Sequence, residues 1–354
     1  MKNYLKIISN VFITSISLSV LLGTFLKIAG PINQNNKSII KVNLAGKPSR
    51  LIDKKAKNTL YKLYNNNNNN LRKLEELISK WKTFIDKNPD LEVSCYFLSL
   101  DKQIYAEIKS DVKLSAASSI KVPILIVLLK MLDEGELLWN ENLILTQDVI
   151  GSGAGWMGYQ KIGTKFPIFE LATEMIRVSD NTATNLLIKR LGGIDQLNQK
   201  FNNLGLENTK VTNYLPDLKG TNLTSTKDLT IAIALVDNGY LLTNRSRDIF
   251  REIMKESKTN TLIPKGILRG LGKETNDIDY QLLLEGYMVY NKTGDIGISY
   301  ADTSLIQTPY NSRAFATFIV KGPFNDPRSA ELIRNLSAEL VPFLEQNKKS
   351  SNSN

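Results

Sequence analysis

The sequence predicts an α/β fold in which an antiparallel sheet is covered by helices from both ends of the folded body, with an all-helical lobe beside it. Three observations support this prediction. Strand patterns occur near both ends of the body, at residues 91–108 and 287–320. Helical patterns precede the first strands and follow the last ones. The residues between the two groups of strands have mostly helical periodicity.

The folded body is predicted to begin at Leu71 with a helix that ends at Asn88-Pro89-Asp90. Its apolar residues recur at helical spacing: Leu74, Leu77, Ile78, Trp81 and Ile85. Two strands follow at residues 91–100 and 103–108, joined by a tight turn at Asp101-Lys102. The next predicted element is an apolar helix that starts near Ser118 and ends near Gly135.

The middle of the chain, residues 136–225, is predicted to be mostly helical. A helix pair is expected at residues 169–178 and 182–191, with Gly192-Gly193 ending the second helix. The glycine-rich residues 151–155 are interpreted as a turn, because they lack the Gly-Lys-Ser/Thr of a phosphate loop. The remaining predicted elements are helices at 227–238, 246–257 and 327–344, and strands at 287–291, 301–306 and 313–320.

The composition excludes several catalytic classes. The chain has 354 residues, of which 42% are hydrophobic, so it is long enough to bury a full core. It contains no histidine, which excludes Ser-His-Asp and Cys-His catalysis and argues against a transition-metal site. Cys95 is the only cysteine, and its place in a strand pattern predicts a small core residue. We expect no metal and no cofactor.

The net charge of +10 does not indicate a nucleic-acid partner, because it is unevenly distributed. Residues 1–70 hold 11 Lys and Arg but a single acidic residue, Asp53. The rest of the chain holds 34 residues of each sign. The folded body is therefore electroneutral, and the basicity belongs to the front of the chain.

Residues 1–30 are predicted to be a signal peptide or signal anchor. Lys2 and Lys6 precede the uncharged residues 7–26, as in export signals. The absence of an Ala-x-Ala cleavage site favours an uncleaved anchor in the cytoplasmic membrane. Residues 31–70 are interpreted as a basic, Asn-rich linker, residues 71–345 as the catalytic domain and residues 346–354 as a disordered tail. An exported protein in the periplasm, or elsewhere outside the cytoplasm, is expected.

The serine at the start of the apolar helix is the candidate nucleophile. Ser118 and Lys121 are three residues apart, so their side chains share one face of a helix. Burial lowers the pKa of a lysine, and its neutral amine can then accept a hydroxyl proton. The same spacing occurs at Ser38, Ser79, Ser99 and Ser110, but only the copy at Ser118 opens a long apolar helix.

Two further motifs follow in order. Ser179-Asp180-Asn181 lies between the two predicted helices, where Asp180 is expected to act as a helix N-cap. Lys292-Thr293-Gly294 lies at the end of a predicted strand. Ser-x-x-Lys, Ser-Asp-Asn and Lys-Thr-Gly in this order resemble the signature of class A β-lactamases and penicillin-binding proteins. The resemblance extends over residues 71–344 and implies a β-lactamase/transpeptidase-like fold, with the site between the sheet and the helical lobe.

The resemblance also implies roles for individual residues. Ser118 would attack an amide or lactam carbonyl and become acylated, and Lys121 would take its proton, directly or through water. Ser179 would pass a proton to the leaving nitrogen. Lys292, the fourth catalytic residue, would lower the proton affinity of this hydroxyl chain and attract a substrate carboxylate. Thr293 would hydrogen-bond the same carboxylate. Substrate-binding roles are also implied for Asn181, which would hold the amide side chain, and for Gly294, whose missing side chain leaves room along the strand. The backbone N–H groups of Ser118 and Asp295 would form the oxyanion hole.

One departure from the family pattern concerns release of the acyl group. Class A β-lactamases carry a glutamate that activates the deacylating water, and alignment on Pro216 places Leu215 there. Lys219 occupies the place of an asparagine that helps to hold this water. Asp217 is close in sequence and is the alternative candidate for the base, but nothing in the sequence directs it towards the site. It is therefore interpreted as a solvated turn residue after proline.

The departure leaves three functions open. The protein is expected to be a serine β-lactamase, with fast or slow turnover. The alternatives are a peptidoglycan D-Ala-D-Ala peptidase and a non-turnover penicillin- or peptidoglycan-binding protein. In each case the partner is a β-lactam or a peptidoglycan-derived small molecule, and the protein is expected to be a monomer.

Overall fold

A computed structural model describes residues 71–345 of the chain. The predicted leader (1–30), linker (31–70) and tail (346–354) lie outside these residues. Within them, the structure contains no helix with the length and apolar character needed to cross a membrane.

The described residues form a mixed sequence of strands and helices. The strands are β1 (Arg72–Lys73), β2 (Glu92–Ser99), β3 (Ile104–Ile108), β4 (Leu114–Ser115), β5 (Asn142–Ile144), β6 (Lys165–Pro167), β7 (Leu223–Thr224), β8 (Met288–Asp295), β9 (Ser299–Gln307) and β10 (Arg313–Lys321). The helices are α1 (Glu75–Ile85), α2 (Lys121–Asp133), α3 (Ile168–Arg177), α4 (Asn181–Arg190), α5 (Gly193–Asn203), α6 (Thr226–Asp237), α7 (Asn244–Lys255), α8 (Ile263–Gly270), α9 (Ile278–Leu284), α10 (Pro327–Ala338) and α11 (Val341–Glu345).

The main sheet has six strands in the order β1-β3-β2-β10-β9-β8. All its neighbouring strands are antiparallel except the short β1–β3 pair, which is parallel. β8 is an edge strand that pairs with β9, where Lys292 lies opposite Thr303. Two pairs of very short strands, β4–β7 and β5–β6, lie outside this sheet. The predicted antiparallel sheet is therefore confirmed.

The sheet has a buried core on each of its two faces. Helices α1 and α10 cover one face, where the ring of Trp81 packs edge-on against Phe318 with centroids 5.6 Å apart. On the other face, Tyr96 and Leu98 share a core with the helical lobe. Helix α2 lies inside that core and is buried along nearly its whole length, including Lys121. The predicted two-part architecture is thus confirmed.

The structure differs from the predicted elements in several places, including helices α8 and α9, for which no helix was predicted. The predicted helix at 327–344 is two helices, α10 and α11. Pro342 lies in the first turn of α11, and its ring would clash with the carbonyl of Ala338 if one helix continued through it. The region 136–225 contains α3, α4 and α5, but loops and the β5–β6 pair occupy much of the remainder. In these loops several backbone N–H groups donate hydrogen bonds to side chains, whereas in a helix they would donate to the backbone carbonyl one turn earlier.

Candidate active site

Ser118 lies in a 3₁₀ turn, Ala117–Ile120, that leads directly into α2. The preceding residue, Ala117, has a φ of +46°, a left-handed conformation that costs a non-glycine residue free energy. Strand β8 passes very close to this turn. A Cβ on Gly294 would lie 2.6 Å from the backbone nitrogen of Ser118 and 2.8 Å from the Cβ of Ala117. The absence of a side chain at Gly294 therefore makes room for the turn that carries Ser118. The sequence prediction gave a different reason, namely space for the substrate along the strand.

Lys121 is fully buried, and its Nζ joins the first two motifs. This atom lies 3.2 Å from Oγ of Ser118, 2.9 Å from Oγ of Ser179 and 2.9 Å from Oδ1 of Asn181. It also donates to the backbone carbonyl of Ser179 at 2.6 Å. Burial, and then the positive charge of Lys292, hold the pKa of Lys121 well below its usual range, against the opposing effect of Asp180. The buried amine can therefore act as a base.

Ser179 lies between α3 and α4 with a φ of +61°. The carboxylate of Asp180 caps α4 by accepting from the N–H of Ala183 at 2.8 Å, so the N-cap prediction is confirmed. Its other oxygen accepts from the backbone N–H groups of Trp156 and Met157, at 2.7 and 2.9 Å. Asp180 thus ties the start of α4 to the glycine-rich segment and fixes the neighbouring Ser179.

The glycine-rich residues 151–155 form part of the site, a role that was not predicted. Asn181 donates from its backbone to the carbonyl of Ala154 and from its Nδ2 to the carbonyl of Ser152. A Cβ on Gly155, whose φ is +93°, would lie 2.1 Å from Oδ2 of Asp180. The glycines therefore allow this loop to pack closely against the Ser-Asp-Asn motif. The presence of three glycines within five residues is the sequence feature that indicates such a close backbone approach.

Lys292 is also fully buried, on the edge strand β8. Burial lowers its pKa to about 8, and the negative charge of Asp302 opposes this effect. Its Nζ donates to the carbonyl of Thr293 at 2.7 Å. Asp295, at the exposed end of β8, accepts from the N–H of Gly297 through its side chain at 2.8 Å. The third motif therefore lies beside the turn of Ser118, with Gly294 at the contact.

Leu215 lies next to this site and is only 5% exposed. Its backbone N–H and carbonyl are both held by the side chain of Asn185, at 2.8 and 2.7 Å. A Cβ on Gly151 would lie 2.6 Å from the carbonyl oxygen of Leu215 and 2.8 Å from the Cβ of Asn181, so the three residues are neighbours. The positioning role of Asn185 was not predicted, because its partners lie far away in sequence.

The prediction that Asp217 is a solvated turn residue is wrong. Its side chain is 8% exposed and accepts from the hydroxyl of Thr221 at 2.9 Å and from the N–H of Asn222 at 2.5 Å. These bonds close the loop that carries Leu215, so its carboxylate has a structural role there. Lys219, in contrast, is exposed. Within residues 71–345, no cluster of three or more acidic or cysteine side chains has the geometry to hold a metal ion.

The chain matches known proteins along most of its described length. The model of the β-lactamase enzyme family matches residues 73–344. The solved structure of PBP-A is 39% identical, has a TM-score of 0.71, and the match covers 78% of this chain and 98% of that one. A second PBP-A structure is a leucine-to-glutamate mutant in an acyl-enzyme complex with penicillin G.

Two curated relatives match over shorter stretches. The β-lactamase of Bacillus licheniformis is 27% identical over 207 residues, 52% of this chain and 66% of that protein. The β-lactamase ROB-1 of Haemophilus influenzae is 32% identical over 140 residues, 38% of this chain and 44% of that protein. The chain thus spans less than two thirds of the length of these relatives.

Proposed function

Since the chain belongs to the β-lactamase enzyme family, we propose that it is a class A-type serine hydrolase that forms an acyl-enzyme at Ser118 and releases it slowly. The observation that carries this proposal is the position of the Lys121 amine, 3.2 Å from the hydroxyl oxygen of Ser118 and 2.9 Å from that of Ser179. One buried base therefore contacts both hydroxyls that acylation requires.

Acylation begins with proton transfer from the Ser118 hydroxyl to Lys121. The neutral amine donates its two N–H bonds to the carbonyl oxygens of Ser179 and Asn181, which leaves its lone pair for the hydroxyl proton. Oγ of Ser118 then bonds to the lactam carbonyl carbon, whose oxygen becomes negative. Its charge is stabilised by the backbone N–H groups of Ser118 and Asp295. When the carbon–nitrogen bond breaks, Ser179 gives its proton to the leaving nitrogen and recovers one from Lys121.

Binding of the substrate depends on the other members of the motifs. Lys292 attracts a substrate carboxylate, and Thr293 donates its hydroxyl to the same group. Asn181 binds the amide of the acyl side chain through its side chain, which the loop at residues 151–155 holds in place. Slow release is supported by Leu215, because an alkyl side chain beside the site cannot activate a water molecule.

A peptidoglycan D-Ala-D-Ala peptidase is the second candidate function. One observation favours it: the buried leucine at position 215, where the alignment places the deacylating glutamate of class A β-lactamases. Such an enzyme forms an ester between the same serine and the acyl group of a peptide, so the roles of Ser118 and Lys121 apply unchanged.

The test is to incubate the protein with a chromogenic cephalosporin and with a D-Ala-D-Ala peptide and to follow product and intact mass together. We expect rapid formation of a cephalosporin adduct and its slow decay with product release. Turnover of the peptide alone would favour the peptidase. A permanent adduct without turnover of either substrate would indicate a binding protein, and no adduct and no turnover would contradict all three functions.

The pH dependence of acylation is expected to report on Lys292. Because its pKa is about 8, its positive charge is present below that pH and lost above it. Acylation by a penicillin should therefore slow as the pH rises through about 8. In Lys292→Ala this decline should be absent, and the rate below pH 8 should be lower by about 10- to 100-fold, the value of a charge-assisted hydrogen bond.

The measurement is the second-order acylation rate between about pH 6 and pH 10, for a penicillin and for its carboxylate ester. The ester should show no decline, since it offers no anion to Lys292. Lys121→Ala should slow both substrates by the same factor, because it removes the base and not the anion partner. Equal alkaline declines for the acid and the ester would refute the role of Lys292.

A further inference from the structure

An exposed aromatic ring lies at the end of the strand that borders the site. Beyond Asp295, β8 turns into β9 through Gly297, whose φ is +79°. A Cβ on Gly297 would lie 2.4 Å from Cε2 and 2.7 Å from Cδ2 of Phe324, so the ring lies directly against this glycine. Yet 71% of Phe324 is exposed to solvent. A large apolar surface is therefore exposed at the turn that follows the Lys-Thr-Gly strand.

The backbone that carries this ring is fixed to the same turn. Asn325 donates its N–H to the carbonyl of Gly297 at 2.9 Å, and Gly322 donates to the carbonyl of Ile298 at 3.1 Å. Asp326, which follows Asn325, caps α10 by accepting a hydrogen bond from the N–H of Arg328 at 2.9 Å. Bonds on both sides of Phe324 thus hold its backbone in place before any ligand arrives, which reduces the entropy lost on binding.

Gly294, which contacts the turn of Ser118, and Gly297, which contacts Phe324, are three residues apart on the chain. Gly297 is two residues beyond Asp295, and two residues span at most about 7 Å. β8 is the edge strand of its sheet, so an extended group attached to Ser118 has an open strand edge to follow. An acyl side chain that is bound at Asn181 and continues past Asp295 would therefore approach the ring that lies against Gly297.

We propose that Phe324 determines substrate specificity by providing an apolar platform for the distal part of the acyl side chain. The inference rests on the proposed acylation of Ser118 and adds a preference for substrates with an aromatic or bulky apolar acyl group. Phe324 contacts the substrate away from the reacting atoms, so it affects recognition and leaves proton transfer unchanged. A stacked aromatic pair of this kind corresponds to about a tenfold effect.

The experiment compares benzylpenicillin, which carries a phenylacetyl side chain, with 6-aminopenicillanic acid, which carries none. Phe324→Ala should acylate about tenfold more slowly with benzylpenicillin and at the wild-type rate with 6-aminopenicillanic acid. Phe324→Tyr, which retains the ring, should behave as wild type with both. Tyr310→Ala is the matched control, because Tyr310 is another exposed aromatic, 56% accessible, in the turn between β9 and β10 at the opposite end of these strands.

The acylation rate with 6-aminopenicillanic acid distinguishes a failure of the inference about Phe324 from a failure of the proposed function. Equal losses on both substrates would mean that Phe324 supports the fold of the site, and no loss on either would remove it from the substrate path; both outcomes overturn the inference. If the wild-type protein were acylated by neither penicillin, the proposed function itself would fail and the inference with it.

Discussion

Covalent labelling by a fluorescent penicillin is expected to disappear completely in Ser118→Ala. The physical reason is the combination of a partly accessible hydroxyl, a buried amine 3.2 Å away and a backbone N–H against the edge strand. Labelling should persist in Ser119→Ala, because the Ser119 hydroxyl is buried and donates to the carbonyl of Ala116 at 2.6 Å. Gel fluorescence and intact mass measure the result.

Two controls make this prediction sharper. Ser110 has the same Ser-x-x-Lys spacing, but its hydroxyl donates to Glu107 at 2.6 Å, so Ser110→Ala should label normally. Ser179 is a rival nucleophile, since its Oγ lies even closer to Lys121 than that of Ser118 does. It is 7% exposed, and we expect Ser179→Ala to label slowly at Ser118. An adduct that peptide mapping places on Ser179 would refute the assignment.

Release of the acyl group is expected to accelerate by about 10²–10⁴-fold in Leu215→Glu, the usual contribution of a general base, while acylation stays nearly unchanged. The backbone at this position is already held by both ends of the Asn185 side chain, so the new carboxylate starts from a fixed point beside the site. A second change, Lys219→Asn, supplies an amide that helps to hold the water.

Leu215→Gln is the matched control for this prediction. It has nearly the same size and polarity as the glutamate but cannot accept a proton, so its acyl-enzyme should persist like that of the wild type. Stopped-flow acylation and decay of the adduct mass measure the two steps separately. A wild-type adduct that disappears within seconds would show that another base is present and that Leu215 does not limit release.

The fold and the motif residues were predictable because their signals are local. Ser118 and Lys121 are three residues apart on one apolar helix, and Asp180 caps the helix that it precedes. The alternation of apolar and polar residues in strands and the 3.6-residue periodicity in helices likewise depend only on residues close in sequence. At 327–344 the apolar residues alone indicate one helix, whereas Pro342 divides this stretch into α10 and α11.

The supporting residues were not predictable in the same way. Asn185 holds Leu215 across 30 residues, and Asn181 meets the glycine-rich loop 29 residues earlier. An acidic residue after proline is usually solvated, which explains the wrong prediction for Asp217. In the structure its carboxylate accepts hydrogen bonds from the hydroxyl of Thr221 and the backbone N–H of Asn222. Polar side chains that satisfy backbone groups of a loop leave no periodic pattern in sequence.

The strand order of the sheet has a consequence for the folding of the chain. Among residues 71–345, β10 is the last strand in sequence, and its place between β2 and β9 joins the β2–β3 hairpin to the β8–β9 pair. During synthesis Lys292 is made before the strand that connects it to the rest of the sheet. A chain interrupted before Arg313 holds Ser118 and Lys292 but lacks the strand that unites their two halves. The reactive centre is therefore completed only when nearly the whole domain has been synthesised.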